Sequence, residues 1–186
     1  FIIPMKKIIG LVGETGSGKD TFCQCIKRLL SGPVFCFCFS DSLSESLRLF
    51  KNEVKKQDQQ WLAMVLRERF GNNVLGEAIK NKIKNIKKGI IVLSGIRAWE
   101  EYKMVKDLGG KIIYITASPK IRWQKIKSRG EKKDDSLPYR NFLRLEKAKT
   151  EILIPKIGEK VDFIIENNGS KADFDKKVKE IISQIK

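Results

Sequence analysis

The sequence contains no histidine, and none of its apolar runs approaches the ~20 residues that a membrane-spanning helix needs. The longest such runs, Pro33 to Phe39 and Gly89 to Leu93, have the length of strands. No secretory leader is legible: Phe1-Ile2-Ile3-Pro4 is too short, and Lys6 and Lys7 follow it rather than precede it. The first residue is not Met. Met5 offers a start site, so residues 1–4 reflect start-site choice or the chain is a fragment. Metal-ligand spacing is scarce as well. The four cysteines form two C-x-C pairs, Cys23/Cys25 and Cys36/Cys38, whereas structural zinc sites usually space their ligands more widely. Cys36 and Cys38 alternate with Phe35, Phe37 and Phe39 and read as one face of a buried strand. Cys23 and Cys25 fall in a helix, where a spacing of two diverges around the axis. Free thiols in a reducing, cytoplasmic compartment are the expectation.

Basic residues are abundant. The formal net charge is +16 over 186 residues, with 41% hydrophobic and 32% charged residues, the balance of one globular α/β domain. Such a charge suits either a nucleic-acid or anionic-surface partner, or a solvated lysine-rich surface around a site for polyanionic substrates. The lysines are spread over helical segments (Lys80, Lys82, Lys84, Lys87 and Lys88; Lys176, Lys177 and Lys179) without interleaved aromatic rings. Single-strand binders usually add stacking platforms to charge, so the second reading is favoured.

Strand and helix patterns alternate along the chain. Strands are expected at Lys6–Val12, Val34–Phe39, Gly89–Ser94, Lys111–Thr116 and Val161–Glu166. Helices are expected at Asp20–Leu30, from Ser40-Asp41-Ser42 to about Phe50, and at Asp58–Phe70, Asn73–Lys88, Ala98–Leu108, Lys120–Ser128, Tyr139–Glu151 and Lys171–Ile185, with a polar stretch over Glu131–Pro138. This order predicts a five-stranded parallel sheet with helices on both faces, in which ligands bind at the carboxyl edge of the strands.

The strongest local signal is Gly10-Leu-Val-Gly-Glu-Thr-Gly-Ser-Gly-Lys-Asp-Thr21. Within it, Gly13 and Gly18-Lys19 frame a phosphate-binding P-loop, between a predicted strand and a predicted helix. Glycines let successive amides of Gly13, Glu14, Thr15, Gly16, Ser17 and Gly18 turn inward around phosphate oxygens. The helix beginning there adds its partial positive charge, and Lys19 reaches the β- and γ-phosphates of a nucleoside triphosphate, expected to be ATP with Mg²⁺. Asp20, not Ser or Thr, follows Lys19, and Thr21 comes next. Ligation of the metal by Asp20, by Thr21 or through water stays open.

The ending G-K-x-T resembles small-molecule P-loop kinases such as adenylate kinases, and argues against GTPases and motor ATPases. Ile90 to Arg97, I-I-V-L-S-G-I-R, with Trp99-Glu100-Glu101 and the Gly109-Gly110 turn, resembles phage-type deoxynucleoside monophosphate kinases and dephospho-CoA kinase-like proteins. That resemblance covers nearly the whole chain. It implies a three-layer P-loop sandwich in one domain, residues 1–186, with an acceptor-binding segment at about 41–88 and a small helical lid at about 120–145. It implies that Arg97 holds substrate phosphate, that Arg67 or Arg69 clamps the acceptor, and that Arg122 and Arg129 close over the transfer. A supplied arginine can be worth ~10³-fold in rate. Ser94 stands where the family usually has an acidic residue. Asp41 lies where related kinases face the acceptor, as a proton acceptor or merely as a helix cap. Val161 to Gly169, V-D-F-I-I-E-N-N-G, resembles the last strand and turn of these kinases, which implies an adenine-side place for Asn167 or Asn168. The implied function is ATP-dependent phosphoryl transfer to a nucleoside or deoxynucleoside monophosphate. Dephospho-CoA kinase-like activity is the nearest alternative, and a nucleic-acid-responsive NTPase is the alternative of another class.

Overall fold

A computed structural model describes residues 6–129, 137–147 and 151–185. Five parallel strands form the central layer: β1 (Lys6–Val12), β2 (Val34–Cys38), β3 (Gly89–Ile96), β4 (Lys111–Thr116) and β5 (Phe163–Glu166), in the order β2-β3-β1-β4-β5. The expected parallel sheet is therefore present, and β1 occupies its centre. A chain reversal in strand order falls beside β1, which opens a crevice at the carboxyl edge where the P-loop begins.

Alternation along the strands sends side chains to two cores. Ile8, Val12, Ile91, Leu93 and Ile112 pack on one face, against α2 (Asp41–Arg48), α3 (Lys56–Phe70), α4 (Val74–Ile83), α5 (Trp99–Asp107) and α8 (Ile154–Gly158). Ile9, Leu11, Ile90, Val92, Ile113 and Ile115 pack on the other, against α1 (Lys19–Leu29) and α9 (Lys171–Gln184). Each fully buried aliphatic side chain contributes roughly 1.5–3 kcal/mol. Two further helices, α6 (Pro119–Arg129) and α7 (Tyr139–Leu145), lie beyond the carboxyl edge. No helix among the described residues is long and apolar enough to cross a membrane.

Three expectations need correction. The helix expected over Tyr139–Glu151 ends at Leu145, and α8 then begins at Ile154 with Pro155 in its first turn. Pro155 reads as a breaker in sequence, yet the first turn is where proline is tolerated. The helix expected through Lys88 stops at Ile83, because Ile86 turns back with its amide on the Ile83 carbonyl. Strand β2 is half-buried along its length, because it is a sheet edge with a neighbour on one side only. The polar stretch expected over Glu131–Pro138 lies outside the described residues except for Leu137 and Pro138.

One irregularity shapes the site. Leu11 pairs with Ser94 but Val12 pairs with Ile96, so Gly95 is an extra residue in β3. Its φ of +86° is open to glycine, and a Cβ there would stand 3.0 Å from the Cys38 sulfur. The bulge carries the strand end, and Arg97 with it, onto the crevice. β3 thus runs two residues further than expected.

Candidate phosphate-binding and acceptor site

Residues 13–18 connect β1 to α1. Gly18 caps the helix in the left-handed region (φ 113°), with no side chain bonded to the first-turn amides. Those amides are the unsatisfied donors of a helix start and form an anion cradle. Two contacts hold the loop's shape: the Ser17 amide donates to the Glu14 carbonyl at 3.2 Å, and the Asn167 side-chain amide donates to the Ser17 carbonyl at 2.8 Å. Asn167 is buried, and its own amide donates to Thr116. Glu14 is held by Tyr114, whose hydroxyl donates to it. Burial pushes the Tyr114 hydroxyl up to about 12, helped by that same carboxylate, so it remains a donor.

Lys19 folds back over the loop, donating to the Gly13 and Glu14 carbonyls at 2.7 and 2.8 Å. These carbonyls occupy the ammonium in this structure. Burial lowers its pKa to about 8, and the Arg97 charge pushes the same way. Arg97 is likewise lowered, chiefly by burial. Lys19 at the start of α1 and Arg97 after β3 thus lie close enough for the arginine charge to bear on the lysine. Arg97 donates from its guanidinium to Glu151, and its backbone amide donates to Glu101 at 2.7 Å. Glu101 is 1% exposed and also accepts from Arg67 at 3.0 Å and from the Ala98 amide at 3.2 Å. Burial raises its pKa, against which the three donors act.

Glu14 and Glu151, the partners of Lys19 and Arg97, line one small cleft, and two larger clefts beside it share no lining residue with each other. One, of about 620 Å³, runs along Gly16, Gly18, Lys19, Asp20, Thr21 and Arg129. The other, of about 880 Å³, is lined on its floor by Cys38, Gly95, Arg67 and Arg97. Of the two arginines expected to face an acceptor, Arg67 lines the larger cleft and Arg69 is exposed and does not, in keeping with their i, i+2 spacing.

The remaining expected residues divide. Arg122 is buried: Nε donates to the Ala117 carbonyl at 2.8 Å, Nη1 reaches the Thr15 carbonyl at 3.5 Å, and the guanidinium pairs with Glu146 while lying 5.6 Å from the Phe142 ring centre. It joins the P-loop to α6 and α7. Arg129 is exposed at the end of α6. Asp41 begins α2 and its carboxylate accepts from the Cys38 amide at 2.6 Å. Asp20 is exposed and Thr21 half-buried, both at the mouth of the cleft of about 620 Å³. Asn168 is exposed, with its side-chain oxygen accepting from the Ser118 amide at 2.8 Å. Ser94 is buried at the β3 end, so no carboxylate stands there. Among the described residues, no group of three or more His, Cys, Asp or Glu side chains is placed to hold a metal. The four thiols are unbridged.

Sequence comparison agrees with this geometry. The model of the AAA_18 family, described as an AAA domain, matches residues 9–153, from inside β1 to the residue before α8. The chain belongs to this family. The chain is 28% identical over 180 residues to a UPF0200 protein of Sulfurisphaera tokodaii, covering 96% of this chain and 97% of that one. UPF0200 protein PH1008 of Pyrococcus horikoshii is 27% identical over 186 residues, with 96% and 97% covered. Among solved structures, TT1252 from Thermus thermophilus superposes with a TM-score of 0.60 at 19% identity, covering 97% of this chain and 98% of that one. Shikimate kinase from Acinetobacter baumannii, in complex with shikimate, gives 0.54 at 18% identity, covering 97% and 94%. Shikimate kinase from Aquifex aeolicus gives 0.59 at 16%, covering 96% and 95%. The architecture of this AAA_18 protein is thus a P-loop α/β sandwich whose fold those structures share.

Sequence reasoning missed Glu101 as the residue that fixes Arg67 and the Arg97 backbone, and it missed Glu146 and Glu151 as partners of Arg122 and Arg97. The signal for Glu101 was present: it stands three residues after Ala98, the capping position, with a helix to follow. Glu146 and Glu151 had no such signal, because their partners are distant in sequence.

Proposed function

We propose that this protein is an ATP-dependent phosphotransferase that moves the γ-phosphoryl group of ATP onto a nucleoside or deoxynucleoside monophosphate. The observation that carries this reading is that the partners of Lys19 and Arg97, the Glu14 carbonyl and the Glu151 carboxylate, belong to residues that line one small cleft. Like charges held together in a partly desolvated place are unfavourable unless a polyanion joins them. A triphosphate entering along the P-loop and a monophosphate entering from the larger cleft would bring their phosphates together there.

In this reading Lys19 leaves the Gly13 and Glu14 carbonyls for the β- and γ-phosphates, while the amides of Gly13, Glu14, Thr15, Gly16, Ser17 and Gly18 surround the β-phosphate. Asn168 lies beside the adenine. Arg97 and Arg67 hold the acceptor's phosphate, and an oxygen of that phosphate attacks the γ-phosphorus as the bond to ADP breaks. The acceptor phosphate is largely ionised near neutral pH, so no general base is required. Asp41 would be needed as a base only for a hydroxyl acceptor of the dephospho-CoA kind. In this reading Arg122 and Arg129 would close over the transferring group, where donors aimed at its equatorial oxygens stabilise the transition state.

The donor set fits Mg²⁺ carried in on the phosphates: Asp20 and Thr21 supply one carboxylate and one hydroxyl at the cleft mouth, and Ser94 supplies nothing anionic. Held there, the ion would supply positive charge that offsets the charge of the phosphates. Positioning and charge neutralisation then account for the chemistry without a covalent intermediate.

The test is coupled ADP release with ATP, Mg²⁺ and a panel of nucleoside monophosphates, deoxynucleoside monophosphates and dephospho-CoA, run beside Lys19→Ala. Acceptor-dependent ADP that disappears in the variant supports the reading and names the acceptor class. ADP released only on adding RNA or DNA would instead support a nucleic-acid-responsive NTPase and overturn it.

A further inference from the structure

The walls of the larger cleft differ from its floor. The floor carries Arg67 and Arg97, whereas the walls carry Trp61, Met64 and Trp99. These three are among the large apolar side chains most open to solvent, at 57%, 62% and 40% exposure. Two elements supply them. Trp61 and Met64 lie one turn apart on α3, and Arg67 follows Met64 by the same interval, so the helix presents ring, thioether and guanidinium along one side. Trp99 opens α5 on the opposite side, braced edge-on against Tyr102 with ring centres 5.6 Å apart. The third tryptophan, Trp123, behaves differently: it is half-buried and its indole N–H donates to the Leu137 carbonyl at 2.8 Å. One guanidinium nitrogen, Arg67 Nε, is buried in the cleft floor without a hydrogen-bond partner. A cleft of about 880 Å³ has the size of small-molecule sites and accommodates a mononucleotide.

We infer that Trp61 and Trp99 hold a planar aromatic ring of the acceptor while Arg67 and Arg97 hold its phosphate. The acceptor class is then a phosphomonoester bearing a nucleobase-like ring, and these two tryptophans are the residues that select it. The inference rests on the phosphotransferase reading above but concerns only how the acceptor is recognised. Indole faces in water gain by stacking on another π-face, and every nucleobase offers one. A saturated or ringless phosphate ester would leave both indoles wet. Continuity with the arginine floor favours this occupant over a second copy of the chain, which would gain nothing from two guanidinium groups at the bottom of its docking groove.

The experiment compares AMP and CMP with ribose 5-phosphate, which offers the same phosphate and sugar without the ring, in the coupled assay with saturating ATP. KM for the ringed acceptors should lie about tenfold or more below that for ribose 5-phosphate. Trp61→Ala and Trp99→Ala should each remove most of that advantage by raising KM for AMP while kcat holds, and Trp61→Phe, which keeps a π-face, should restore it. Equal KM values for AMP and ribose 5-phosphate would overturn the inference and leave the phosphotransferase reading intact. So would loss of turnover on both acceptors alike in the tryptophan variants. A dimer in sedimentation that Trp61→Ala splits, with acceptor KM unchanged, would assign the face to self-association and also overturn it. No turnover above the Lys19→Ala background with any acceptor would remove the phosphotransferase reading, and this inference with it.

Discussion

Arg97 donates to the Glu151 carboxylate, and Lys56 reaches the same carboxylate at 3.2 Å, so a buried glutamate holds two cations in a small cleft that Glu14 and Thr15 of the P-loop also line. A substrate phosphate binding Arg97 has to displace or share that carboxylate. Glu151→Gln keeps the shape and removes the competing charge. It should lower the acceptor KM by up to about tenfold, since each 1.4 kcal/mol of released competition is a factor of ten. The unliganded variant should also melt at lower temperature, because Arg97 and Lys56 then lack their counter-charge. Inorganic phosphate should recover more of that loss than it adds to the wild type. An unchanged KM would mean that Glu151 does not compete at the phosphate position.

Lys19 sets a pH limit. It has to be charged to hold phosphate, and in the free protein its pKa is lowered to about 8 by burial and by Arg97. The kcat/KM for ATP, which reports free-enzyme ionisations, should therefore fall as pH rises through about 8. Arg97→Gln removes one cause, so the falling limb should move to higher pH. The same shift affects stability in the opposite sense. Between about 8 and 10.5 the unfolded chain keeps the Lys19 proton that the folded chain has released, so this residue's contribution becomes more favourable as pH rises across that window. Lys19→Met should flatten that part of the stability profile in denaturant titrations.

Asn167 and Asn168 are neighbours with separable roles. Asn167 holds the P-loop through the Ser17 carbonyl, and a Cβ added at Gly18 would lie 2.4 Å from its side-chain nitrogen. Asn167→Ala should raise KM for ATP and GTP alike, by about tenfold, the equivalent of one lost buried hydrogen bond. Gly18→Ala adds a clash to a φ of 113° and should be the more severe, with nucleotide binding lost in calorimetry. Asn168→Ala leaves the loop braced. If the residue lies beside the adenine, the change should alter the preference for ATP over GTP while loop stability holds. Identical effects of the two alanine variants would remove the adenine-side assignment.

Much of this architecture is legible in the chain because it is local. The alternation of Ile8, Ile9, Leu11 and Val12 already assigns β1 to a sheet covered on both faces, and Gly13 to Lys19 reads as a phosphate cradle from spacing alone. The helix limits at Ile83 and Leu145 are less legible, because short turns, with the Ile86 amide on the Ile83 carbonyl and the Lys147 amide on the Arg144 carbonyl, follow them without a glycine or proline to mark them. The least legible features are pairings across long sequence gaps. Arg122 reads as a lid arginine, but nothing near it in sequence says that Glu146 will neutralise it and Phe142 cover it. The tryptophan walls of the larger cleft are equally hidden: Trp61 and Trp99 are 38 positions apart and meet only because α3 and α5 pack on the same sheet face.

Glu101 offers the sharpest separation of a positioning role from a substrate contact. It is 1% exposed and its two oxygens serve three donors: the Arg97 and Ala98 amides, and the Arg67 guanidinium. Through the two amides it starts α5, and through Arg67 it ties α3 to that start, so the two walls of the larger cleft share one carboxylate. Removing it leaves two buried amides and one guanidinium without their acceptor. Glu101→Ala should therefore cost about 3 kcal/mol of folding free energy, the scale of breaking a buried ion pair. Glu101→Gln keeps the volume and one acceptor oxygen, so it should fold and cost less. In that variant Arg67 is no longer held by a charge, and the acceptor KM should rise while the KM for ATP changes little, because the three donors to Glu101 belong to Arg67, Arg97 and Ala98 and not to the P-loop. A rise in both KM values together would instead mean that Glu101 supports the fold as a whole and has no separate hold on the acceptor side.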